Sequence, residues 1–106
     1  MDCQVIISAR ALRDLEEIVH FITADNPPAA GRFGRQLLAE AESIGGMPLA
    51  GRVVPEFKSP DIRERIFRSI RIVYRVDADQ HRVIIARFWH GARGAPELPQ
   101  GESLRP

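Results

Sequence analysis

Several ordinary ingredients are scarce in this 106-residue sequence: it has one cysteine, one tyrosine, one tryptophan and one lysine, and aromatic residues make up only 7%. A lone Cys3 forms no intramolecular disulfide, which fits a reducing cytosol, and its place at the start of an apolar run predicts a buried structural thiol. No apolar stretch approaches the roughly 20 residues that a membrane helix needs, so no membrane association is expected. Met1-Asp2-Cys3-Gln4-Val5 has no basic region and no long apolar core, so no signal peptide is expected and the cytoplasm is the predicted compartment. There is no GxxxxGK[ST] and no GxGxxG, His20, His81 and His90 are scattered without zinc spacing, and no Ser or Cys sits in a nucleophile elbow. No cofactor and no metal are therefore expected. The length suits one domain with a thin core.

Arginine is what the sequence has in quantity. Fourteen of the 15 basic residues are Arg, and only Lys58 is Lys. Residues 1–50 carry four Arg against seven carboxylates, a net −3, whereas residues 51–106 carry eleven basic and seven acidic residues, a net +4. The planar guanidinium fork suits phosphate and carboxylate better than a lysine point charge does, so the second half points to a polyanion or an acidic protein partner. The competing explanation is codon bias.

Gln4–Ser8 is a short β-branched run that predicts a strand, and Ser8 has the chemistry of an N-cap. Leu12, Leu15, Ile18, Val19 and Ile22 recur at steps of three and four, which predicts an amphipathic helix over Ala9–Ala24 with Arg13, Asp14, Glu16, Glu17 and His20 on the opposite face. Asn26 and Pro27 suit the cap and first position of a second helix, whose stripe is Ala30, Phe33, Leu37, Ala41 and Ile44. Gly45-Gly46 predicts a left-handed C-cap. The period then changes. Residues 51–57 read as irregular with a short extended piece. Ile62–Phe67, Ile70–Val76 and Arg82–Trp89 predict strands, with Asp77–Gln80 as a hairpin turn. The predicted fold is α+β: one small domain, β-α-α-β-β-β, with a helical hairpin packed on one face of an antiparallel sheet. Three Pro and two Gly in Gly94–Pro106 predict a flexible tail after a domain over residues 1–93.

The chemistry-bearing residues concentrate in the strands. Arg63, Arg65, Arg68, Arg71 and Arg75 fall on adjacent strands, and Arg87, His90 and Arg93 fall on or just after the last. Facing residues on neighbouring strands lie about 5 Å apart at Cβ, so the pattern allows several of these side chains to share a face that attracts phosphate or an acidic peptide. The alternative is a solvated face on which arginines pair with Glu64 and Glu56. His90 fits either a general acid or base or a strand-end cap. Tyr74 shares a face with Ile70, Ile72 and Val76, which predicts a core ring with its hydroxyl at the rim. Trp89 reads as a core or edge anchor.

Together these segments resemble the RelE/ParE superfamily of type II toxin–antitoxin toxins, nearest its ParE branch. The residues that carry the resemblance are Ser8, Ala9 and the Ala11–Leu15 run to Ile18; Phe21, Ile22, Asn26, Pro27, Ala29 and Ala30; Pro48, Gly51 and Arg52; Ile62-Arg63-Glu64; the Ile70–Val76 strand; and Trp89 to Arg93. The resemblance implies a cytoplasmic toxin held by a cognate, ParD-like antitoxin with an acidic C-terminal segment, operator DNA being reached only through that antitoxin. ParE-like members poison DNA gyrase; RelE-like members are ribosome-dependent mRNA interferases. The ParE-like reading needs a binding surface, expected at Arg63, Arg65, Arg71, Arg75, Arg87, His90 and Arg93. The nuclease reading needs a base, an acid and cations, and would draw on Arg63, Glu64, Arg71 and His90. Lys58 precedes the sheet and no Tyr follows the last strand, which favours the ParE-like reading. A third possibility, a non-toxic binding module, would use the same basic face.

Overall fold

The computed structural model describes residues 2–23 and 25–90. Arg93 and the expected tail, 94–106, lie outside these residues. The elements run β1 (Gln4–Ile7), α1 (Ala9–Thr23), α2 (Pro27–Ser43), a 3-10 turn (Ile44–Gly46), β2 (Arg52–Val53), β3 (Ile62–Phe67), β4 (Ile70–Asp77) and β5 (Arg82–His90). They build the expected α+β domain, with the short extended piece near Arg52 adding a fifth strand. The sheet order is β1-β5-β4-β3-β2, parallel between β1 and β5 and antiparallel elsewhere.

Local chemistry sets the helix ends. The Ser8 hydroxyl accepts from the Ala11 N–H at 3.1 Å and donates to the Ala86 carbonyl at 3.2 Å, so one side chain starts α1 and ties it to β5. Such a cap contributes about 1 kcal/mol. Asn26 caps α2 by accepting from the Ala29 N–H at 3.2 Å, with Pro27 at the first helical position. The left-handed cap expected at Gly45-Gly46 does not form. The helix tightens into the 3-10 turn because β1 runs against it: the Cys3 N–H donates to the Gly45 carbonyl at 2.8 Å, and a Cβ at position 45 would stand 2.5 Å from the Cys3 carbonyl oxygen. Glycine is needed there for close approach.

The main core lies between the helices and one sheet face. Leu15, Leu37, Ala41 and Ile44 pack on Ile70, Ile72, Tyr74, Val76, Val83, Ile85 and Phe88. Each large apolar side chain so buried contributes about 1.5–3 kcal/mol. The stripe expected on α1 is rotated: Leu12 is 47% exposed, whereas Asp14 is only 4% exposed. The cause is the edge of β5. Beyond Ile85 that strand loses β1 as a partner, and Asp14 accepts from the Phe88 N–H at 3.1 Å in its place.

The tight β3–β4 and β4–β5 turns each use a non-glycine residue in the left-handed region, Arg68 (φ 54°) and His81 (φ 51°), a conformation that costs about 1 kcal/mol. A bulge between Val73 and Tyr74 leaves Ala86 unpaired and resets the alternation of β5.

Candidate partner-binding surface

Register decides which arginines meet. Because directly opposed residues in an antiparallel pair point to the same face, Arg63 opposite Tyr74 and Arg65 opposite Ile72 join the helix side. Arg71, Val73 and Arg75 lie on the other side, together with Glu64, Arg87 and Trp89. His90, opposite Ile70, returns to the helix side. The predicted arginines are therefore divided between two faces.

On the helix side, Arg63 Nη1 donates to the Gly51 carbonyl at 2.9 Å, and the Tyr74 hydroxyl donates to the Pro48 carbonyl at 2.8 Å while accepting from the Gly51 N–H at 3.2 Å. Tyr74 is fully buried, deeper than the rim position expected for its hydroxyl. Burial pushes the phenol pKa up. A Cβ at Gly51 would overlap the Tyr74 hydroxyl and stand 2.7 Å from the Glu64 carbonyl, which is why the Pro48–Arg52 motif carries glycine there. Arg65 Nη1 reaches Glu40 at 3.3 Å and the Ser43 hydroxyl at 2.7 Å, joining β3 to α2.

On the opposite face a smaller apolar cluster, Val54, Ile62 and Val73 with Phe57, sits beneath a lattice of charges. Glu64, 1% exposed, accepts from Arg52 Nε and, at 2.5 Å, from Arg71 Nε. Arg71 also forks onto Glu56 at 3.0 and 3.2 Å. Through that fork Arg71 holds the Glu56 carboxyl below its usual pKa, and the two carboxylates raise that of Arg71. Thus Arg71 pairs with both Glu64 and Glu56. Farther along β4, Asp77 accepts from Arg82 at 3.2 Å, which lowers its pKa, and lies 3.9 Å from Arg75. Arg87 is 2% exposed; its Nε donates to Asp14 at 2.7 Å and its guanidinium stands 4.7 Å from the Trp89 ring.

Of the quartet considered for RNA cleavage, Glu64 and Arg71 touch each other, whereas Arg63 and His90 lie on the other face. His90 instead lines an apolar groove of about 580 Å³ between the helices and the end of the sheet, walled by Ile18, Phe21, Ile22, Phe33, Ile70 and Phe88. Phe21 is 78% exposed at this groove. Sequence reasoning misplaces two residues here. Periodicity puts Asp14 among the outer-face charges. Arg68, counted among the strand arginines, sits instead at the β3–β4 turn with its guanidinium 5.6 Å from the Phe33 ring and 5.1 Å from the Phe67 ring.

Residues 5–94 match the family described as ParE toxin of the type II toxin–antitoxin system parDE. The chain is similar to a protein of Caulobacter vibrioides named Toxin RelE1, 32% identical over 93 residues that cover 86% of this chain and 96% of the relative. The fold matches that of a chain from the chromosomal ParDE toxin–antitoxin system of P. aeruginosa (TM-score 0.68, 16% identity, 83% of this chain and 95% of that one). It also matches a chain of the RelBE2 toxin–antitoxin complex of Mycobacterium tuberculosis (TM-score 0.64, 22% identity, 85% and 99%).

Proposed function

Because this chain belongs to the ParE toxin family of type II toxin–antitoxin systems, we propose that it is a cytoplasmic toxin that acts by binding rather than by catalysis. DNA gyrase is its target, and a cognate ParD-like antitoxin with an acidic segment is its inhibitor. The observation that carries this reading is the state of Glu64. It is the one carboxylate of the considered nuclease quartet, it is 1% exposed, and both its oxygens are engaged by Arg52 and Arg71. A general base must reach the proton that it takes, and this one is enclosed on the face opposite Arg63 and His90. A gyrase-binding toxin needs only a shaped surface.

The test is a gyrase supercoiling and cleavage assay on the purified chain, run beside ribosome-dependent cleavage of mRNA. Inhibition of gyrase with mRNA intact supports the reading. Cleaved mRNA with gyrase untouched overturns it in favour of a RelE-like interferase, the reading that the name of the Caulobacter relative favours. In cells the first outcome brings filamentation with an SOS response, the second a rapid loss of translation. A non-toxic binding module would arrest nothing.

A further inference from the structure

We propose that Arg68 recognises a carboxylate on the partner segment that fills the neighbouring apolar groove. The proposal rests on the toxin reading above and names one contact of the inhibited complex, made with an acidic, partly apolar stretch of polypeptide.

Three observations converge on it. The first is the backbone. His81 and Arg68 both hold a positive φ, but only the former has a described use beyond its own turn, since its carbonyl accepts from the Gln4 N–H at 2.8 Å and closes β1 onto the sheet. At Arg68 the two-residue turn between Phe67 and Ile70 would form with less strain around glycine. A strained position occupied by a long cationic side chain points to a role for that side chain.

The second is pairing. Arg52, Arg65, Arg71, Arg75, Arg82 and Arg87 each stand beside a carboxylate, and Arg63 donates to two carbonyls. Among the described residues Arg68 makes neither a hydrogen bond nor an ion pair, only its contacts with the two phenyl rings. A guanidinium held only by ring contacts keeps its N–H donors available for a carboxylate, which can take two of them in parallel hydrogen bonds.

The third is location. Phe33 is both the platform under Arg68 and a wall of the 580 Å³ groove, and Ser69, the next residue of the turn, also lines it. A segment that places an apolar side chain among Phe21, Phe33 and Phe88 brings a neighbouring acidic residue to Arg68. The groove walls are mainly apolar, Ile18, Phe21, Ile22, Phe33, Ile70 and Phe88, which a phosphate backbone cannot fill and a peptide bearing apolar side chains beside its acidic one can.

The experiment titrates the full chain and its R68G and R68K variants with a twelve-residue peptide of alternating leucine and glutamate pairs, and with the same peptide carrying glutamine for glutamate, while the thermal midpoint of each variant is recorded. The wild type should bind the glutamate peptide at least tenfold more tightly. R68G should lose that preference without a lower midpoint, and R68K should keep part of it. Equal affinity of the wild type for both peptides, or an undiminished preference in R68G, overturns the proposal. If R68G fails to fold, R68Q, which removes the charge and keeps a side chain at the turn, reads the same difference. Expression of the chain in cells, alone and with any polypeptide that an adjoining reading frame encodes, separates the two readings. Toxicity and rescue without any glutamate preference refute the role of Arg68 alone. A chain that neither arrests growth nor is captured by that polypeptide refutes the toxin reading, while the titration still decides Arg68.

Discussion

The two faces of this sheet are stabilised by different chemistry. Toward the helices, Leu15, Leu37, Ile72, Val83, Ile85 and Phe88 pack as an apolar layer, and the polar atoms there, such as the Tyr74 hydroxyl, clasp a loop. On the far face a cluster of three buried residues, Val54, Ile62 and Val73, lies under arginines and glutamates that hold each other. An apolar layer tolerates small shifts at modest cost and charge at great cost. A charge lattice behaves the other way: removing one member is costly where the rest stay buried and cheap where they reach water. An arginine-rich sequence need not mean a basic surface: among the described residues, Arg10, Arg52, Arg65, Arg71, Arg75, Arg82 and Arg87 already stand beside carboxylates.

The contrast can be broken from the largest effect to the smallest. Leu15→Asp places a charge beneath α1 and should cost more than about 4 kcal/mol, abolishing a cooperative unfolding transition and with it any toxicity. Asp14→Ala removes the carboxylate from a buried guanidinium and the acceptor from the Phe88 N–H, at about 3–5 kcal/mol in urea unfolding; replacing Arg87 by Met as well should recover much of that loss. A double variant no better than Asp14→Ala would show that apolar packing, not the charge pair, governs this edge. Tyr74→Phe keeps the ring and deletes the clasp on Pro48 and Gly51, costing about 1–3 kcal/mol at an unchanged m-value.

Glu56→Gln is the gentlest. Arg71 holds the folded carboxyl below its ordinary value, so its contribution is fully present above about pH 4.3 and is lost as pH falls through the depressed value. The wild type should therefore lose more of its thermal midpoint between pH 5 and pH 2 than Glu56→Gln does. Identical acid limbs would mean that the exposed end of the lattice contributes nothing.

Much of the fold was legible because period and punctuation agree in this sequence. Ile62–Phe67 alternates, Asn26-Pro27 announces α2, and Ser8 announces α1. The faces of the arginines were not legible, for a local reason. Pairing Phe67 with Ile70 puts Arg65 opposite Ile72 and Arg63 opposite Tyr74, but that pairing requires a two-residue turn at Arg68-Ser69, where no Gly, Asn or Asp marks one. The bulge at Ala86 is likewise unmarked, and it alone puts Arg87 beside Trp89 on the far face. Asp14 was misplaced because helical periodicity cannot know that a strand edge will need an acceptor. Of the candidate surface, the sequence supplied the residue types; long-range register supplied the partners.

The single tyrosine and the single tryptophan of this chain stand on opposite faces of β4 and β5. The protein thereby carries two built-in optical reporters. Indole emission from Trp89 follows the far face, while ultraviolet absorbance of the Tyr74 phenolate, which burial delays to higher pH, follows the helix-side clasp. One alkaline titration monitored at both wavelengths should resolve whether the two faces open together or in sequence.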